Sequence, residues 1–132
     1  MLKVRRLSGP VSVVCSLVLT FAGCATAPPA KSVTSLQQIS GTWEGSGNSP
    51  GGPFSIKSLA IKADGTWELD LPGGNPPRHT GTVQLVDGKL RSRSNTTGNS
   101  STWTLHEGDG KRMLRTVNDD GRVTADLTPA RP

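Results

Sequence analysis

The dipeptide Asp-Gly occurs four times in this chain, and each time it opens a short alternating run. The runs are ADGTWELDL from Ala63, VDGKLRSRS from Val86, GDGKRMLRT from Gly108 and DDGRVTADL from Asp119. A type I′ hairpin turn requires positive φ at both central residues, a conformation that Asp tolerates and Gly adopts freely. The first three pairs, at Asp64, Asp87 and Asp109, are separated by 23 and 22 residues. Between them lie LPGGNPPRH and NTTGNSS, both rich in turn formers. The chain therefore turns about every 11 residues, which suits a meander of short strands.

Eight strands fit between these turns: 41–47, 54–63, 66–71, 79–86, 89–94, 101–107, 111–118 and 122–128. Trp67, Leu69 and Leu71 share one parity, and Thr66, Glu68 and Asp70 the other. Val83 with Leu85, Trp103 with Leu105, and Val123 with Ala125 and Leu127 repeat the pattern. Such alternation means one buried and one wet face, as in antiparallel sheets. In the second strand Phe54 and Ile56 have one parity but Leu59 and Ile61 the other. A β-bulge at Lys57–Ser58 would return all four to one face. In the seventh strand Met113 and Val117 compete with Leu114 for the interior; Leu114 is taken as the inward residue.

Eight antiparallel strands in sequence leave two raw edges unless the sheet closes, and closure removes both. The expected fold is all-β, a small antiparallel up-and-down meander of about eight strands closed as a barrel. An open or two-layer meander with charged edges is the competing arrangement. Helix is confined to one short turn in SVTSLQQIS, ahead of the first strand.

The amino terminus reads as an address. MLKVRR carries three cations, VSVVCSLVLTFA is an apolar run of twelve residues, and small residues lead to Cys24. This is the pattern of a secretory signal, and the run falls short of the roughly 20 residues that span a bilayer. LTFAGC resembles a bacterial lipobox, with Phe21 where the family usually has Leu. That resemblance implies lipidation of Cys24, whose thiolate is the natural acceptor for a diacylglyceryl group. Ala25, not Asp, follows it. By resemblance to the sorting rule of enteric bacteria, that implies the outer membrane, with the domain facing the periplasm.

Residues 1–23 are then the signal, 24–38 the lipidated cysteine and a flexible Ala-, Pro- and Ser-rich tether, and 39–132 the barrel domain. Cys15 leaves with the signal, so no disulfide is expected, and a secreted domain without bridges relies on its core or on sheet closure. Of 15 Lys and Arg, three lie in the signal, leaving 12 basic against 10 acidic residues. Whole-chain basicity is therefore no argument for nucleic acid.

SGTWEG places Gly41-x-Trp43 at the start of the first strand, after a short turn. This resembles the first signature of the lipocalin and wider calycin barrels. The resemblance implies that Trp43 packs across a closed end beneath an arginine from near the last strand, Arg122 or Arg131, in cation–π contact. The domain is much shorter than a typical lipocalin, and the loops show no second signature.

The long connections GSGNSPGGP, PGGNPPRH and NTTGNSS all fall at one end of such a meander, opposite the first three Asp-Gly turns. In small barrels that end is the open mouth, where ligands enter; Gly- and Pro-rich loops also serve as mere linkers. All three tryptophans, Trp43, Trp67 and Trp103, have inward parity and act either as core or as a stacking surface. Around the mouth the candidate ligand contacts are Asn48, Asn75, His79, Ser94 and Asn99. Ser92 and Ser94 face inward with Leu90, implying a partly polar lumen, since buried hydroxyls need partners.

Outward lie Lys89, Arg91 and Arg93, a solvated face or a patch for anions. His79 and His106 are assigned to opposite ends, so no shared metal site or catalytic dyad is expected. No HExxH, CxxC, P-loop or EF-hand spacing occurs. A hydrolase would depend on His79 and a nearby serine. Two non-enzymatic readings follow: a carrier of a small apolar or amphipathic ligand, with no cofactor, or a filled barrel that docks an envelope protein.

Overall fold

The computed structural model describes residues 27–131; the signal, the lipobox and Cys24 lie outside them. A short strand β1 (Ala30–Lys31) and a 3-10 turn (Leu36–Gln38) precede eight longer strands. These are β2 (Gly41–Ser49), β3 (Gly52–Ile61), β4 (Thr66–Asp70), β5 (Arg78–Val86), β6 (Lys89–Ser94), β7 (Ser100–Gly108), β8 (Lys111–Asn118) and β9 (Thr124–Pro129). Each of β2 to β9 pairs antiparallel with the next in sequence, and β9 returns to pair with β2 from Trp43 opposite Pro129 to Asn48 opposite Thr124. The meander is therefore a closed eight-stranded barrel.

The sequence assigns β6 and β8 their observed bounds, and the remaining strands differ by at most two residues at an end. The bulge stands where the hydrophobic parity demanded it. Trp43 pairs with Leu59 and Gly45 with Ile56, so Lys57 and Ser58 together face the single residue Glu44. Ile56, Leu59 and Ile61 are all buried as a result. On β8 it is Leu114 that is fully buried.

The Asp-Gly turns divide into two kinds. Asp87-Gly88 and Asp109-Gly110 have positive φ at both residues, 50° and 77°, 53° and 72°, as a type I′ turn requires. At the other two pairs only the glycine is left-handed. There the aspartate acts through its side chain, Asp64 Oδ1 accepting from the Thr66 N–H and Asp120 Oδ1 from the Arg122 N–H. An Asx contact of this kind stabilises a wider turn without positive φ at Asp.

The ladder between β6 and β7 runs only from Leu90–Trp103 to Arg93–Ser100, leaving the later half of β7 without β6 beside it. β1 takes part of that edge, Ala30 opposite His106 and Lys31 opposite Leu105. Pro28 and Pro29 extend the contact, their carbonyls meeting His106 Nδ1 at 2.8 Å and the Glu107 N–H at 3.1 Å. The segment assigned as tether is thus docked from Pro28 onward. It then crosses the barrel's end, where Val33 and Ile39 are buried.

That crossing closes one end. Trp43 is buried there, its Nε1 donating to the Ile39 carbonyl at 2.9 Å. An arginine does lie over it, but it is Arg112, with its guanidinium carbon 5.2 Å from the ring centroid. Arg112 also donates to the Gln38 carbonyl. Arg122 belongs to the β8–β9 connection at the opposite end, and Arg131 is exposed past β9. Arg112, two residues beyond a closed-end turn, is the cation whose strand begins beside Trp43.

Candidate functional site

The inward faces of three neighbouring strands change character along the barrel axis. From the closed end to the mouth, β6 presents Leu90, Ser92 and Ser94, β7 presents Leu105, Trp103 and Ser101, and β8 presents Leu114, Thr116 and Asn118. The apolar half belongs to the buried core. The half nearer the mouth holds an open-ended cavity of about 240 Å³, and an eight-stranded barrel has room for filled side chains or one small ligand.

Trp67 and Trp103 form one wall, their ring centroids 6.0 Å apart and their planes tilted by 47°. This lies within the range in which aromatic pairs attract beyond simple burial. Each indole N–H is satisfied by a serine, Trp67 Nε1 to Ser92 Oγ at 2.9 Å and Trp103 Nε1 to Ser101 Oγ at 2.9 Å. Ser92 and Ser101 are direct partners across the β6–β7 ladder. Gly81 on β5 admits the Trp67 ring, because a Cβ there would meet Trp67 Cζ2 and the Arg93 carbonyl. Phe54 on β3, with Leu69 and Leu71 following Trp67 along and just past β4, adds aromatic and aliphatic surface.

Five of the residues singled out in the sequence border this cavity: Trp67, Trp103, His79, Ser94 and Asn99. The other three do not. Trp43 lies in the closed end beneath Arg112. Asn48 is exposed, since its parity is opposite to that of Trp43 and Gly47. Asn75 is exposed in the 71–77 loop. Sequence reasoning passed over Ser101, Thr116 and Asn118 as site residues, although their parity with Trp103 and Leu114 assigns them inward.

His79 Nε2 lies 3.0 Å from the Pro76 carbonyl oxygen. A carbonyl only accepts, so Nε2 carries the proton and Nδ1 is the ring's remaining polar atom. His106 stands at the other end, against Pro28. Among the described residues no Lys, Arg, Asp or Glu lines the cavity.

The outer face is organised by ion pairs. Arg91 grips Asp119 in a two-point contact, 2.8 Å from Nη1 to Oδ1 and 2.8 Å from Nη2 to Oδ2, and it also meets Thr102 Oγ1. The hydrogen bonds from Arg91 hold the Asp119 carboxyl below the usual carboxylate range and raise the guanidinium in return. The middle cation of the Lys89, Arg91, Arg93 stripe is thereby committed to a loop that frames the mouth. Comparisons with protein-family models, with curated proteins and with solved structures each return no match.

Proposed function

We propose that this is a lipid-anchored, non-enzymatic envelope protein whose small calycin-like barrel carries one small apolar or amphipathic molecule. The observation that carries the reading is the cavity itself. It is walled by Trp67, Trp103, Phe54 and Leu71, with Ser94, His79 and Asn99 toward the mouth. An apolar body with a few convergent polar groups is the usual form of a small-molecule site. Its volume of about 240 Å³ exceeds the roughly 150 Å³ that accommodates benzene in an apolar protein cavity.

The course of β1 supports a particular orientation. β1 runs antiparallel to β7, so the chain before Ala30 leaves at the closed end. Five residues lie between Cys24 and Ala30, a reach of at most about 20 Å. Lipid on Cys24 would therefore hold the closed end near an outer-membrane leaflet and turn the mouth toward the periplasm.

Mass spectrometry of residues 25–132, isolated gently from a bacterial envelope extract, tests the carrier function. A stoichiometric small molecule that disappears on Trp67→Ala is the expected result. A clean protein without cargo, holding instead a protein partner, would move the function to the outer surface.

A further inference from the structure

The serines on the cavity wall restrict what its occupant can present to them. A hydroxyl has one proton to donate and two lone pairs. Ser92 and Ser101 each accept an indole N–H. Ser94 Oγ accepts two backbone N–H groups, from Thr96 at 3.2 Å and Thr97 at 3.1 Å, so both its lone pairs are engaged. What Ser94 has left is its proton, and the two indole-bound serines each retain a proton and one lone pair. Three unspent O–H donors thus face one cavity along β6 and β7.

The charge balance narrows the chemistry further. A carboxylate or an ammonium inside this cavity would meet no Lys, Arg, Asp or Glu on its walls, His79 standing at the mouth, and an unpaired buried charge is strongly disfavoured. An alcohol would also fit, giving its own proton to a side-chain oxygen of Asn99, Asn118 or Thr116. It needs that second partner, whereas a carbonyl is satisfied by the serine protons alone. The cavity holds the volume of about eight waters at roughly 30 Å³ each.

We infer that the ligand is a neutral, mainly apolar molecule that turns a carbonyl oxygen, as in a ketone, ester or lactone, toward Ser92, Ser94 and Ser101. The inference rests on the cavity being a ligand site, and the experiment separates the two. Residues 25–132 contain the whole closed ring and its core and serve as the protein. Four probes of nearly equal size differ only in the group beside a phenyl ring: acetophenone, cumene, benzoate and 1-phenylethylammonium.

Calorimetric titration should find acetophenone bound about tenfold more tightly than cumene, the gain typical of a well-made buried hydrogen bond, and both ions more weakly than cumene. In Ser94→Ala and Ser101→Ala the preference for acetophenone over cumene should fall toward unity. Each variant is judged by its own ratio, so a general loosening of the barrel does not imitate the effect. Equal binding of acetophenone and cumene to the unsubstituted protein, or tightest binding of benzoate, would overturn the carbonyl inference and leave the ligand site standing. No binding of either neutral probe near its solubility limit would overturn the ligand site as well.

Discussion

Arg112 lies across the face of Trp43, 5.2 Å from guanidinium carbon to ring centroid, and ties the last strand pair of the barrel to the turn that plugs its end. Trp43 is itself buried and bonded to the Ile39 carbonyl. The pair therefore belongs to stability and not to the cavity. Trp43→Ala is expected to cost about 3–5 kcal/mol, as for other buried aromatics. Arg112→Ala, removing a partly exposed cation–π contact and a hydrogen bond, should cost about 1–2 kcal/mol. Urea unfolding measures both, and Arg112→Ala should leave uptake per folded molecule unchanged.

Deleting Lys57 removes one of the two residues that face Glu44. Regular alternation would then run through β3 with Phe54, Ile56, Leu59 and Ile61 all on the inner face, so the deletion removes the bulge and its local twist without exposing the core. The deletion should therefore keep a single cooperative unfolding transition, with a lowered midpoint. Lys57→Ala, which keeps the extra residue, should change stability by no more than about 0.5 kcal/mol. Circular dichroism melts of the two proteins make the comparison.

Gly81→Ala introduces a methyl where the Trp67 ring and the Arg93 carbonyl already stand. The ring must shift toward the cavity, and overpacking of this kind costs about 1–3 kcal/mol. Both the melting temperature and the cavity's capacity should fall. Titration with cumene, whose affinity should drop at least several-fold, checks the second effect.

Asp119 provides the pH dependence. Its carboxyl is held below the ordinary value by hydrogen bonds from Arg91, so the folded state binds the proton less readily than the unfolded chain. The stabilisation is fully present above the unfolded value of about 3.9. It is lost as pH falls through the lowered folded value. Because the pair is solvent-exposed, its contribution is small. A carboxyl ¹³C titration should place Asp119 below an unpaired aspartate, and Arg91→Gln should bring it back up.

The architecture could be read from the sequence because turns and parity are local. Asp87-Gly88 and Asp109-Gly110 specify their own backbone, and the mismatch between Ile56 and Leu59 announces the bulge. Which cation covers Trp43 was not legible, because Arg112 and Arg131 both reach the closed end and only the packing of the turn before β2 decides which of them crosses the ring. The docking of Pro28 to Lys31 was hidden for a related reason. It depends on β7 outrunning β6, a consequence of barrel stagger that no single strand shows. For the site, parity put Trp67, Trp103 and Ser94 inside, yet Trp43 has the same parity and lies outside the cavity. Depth along the axis separates them, and it follows from the pairing register. Asn48 was assigned to the loop beyond the first strand, but β2 continues to Ser49 and turns Asn48 outward.

The three tryptophans offer the most direct test of the central claim, because each indole N–H gives its own signal in a ¹H–¹⁵N spectrum. Titrating residues 25–132 with cumene should shift the Nε1 signals of Trp67 and Trp103, which border the cavity, and leave that of Trp43, bonded to Ile39 in the closed end. A saturable shift of those two signals alone is the expected result. No shift at all, or a linear and equal drift of all three, would mean that the barrel holds no ligand site.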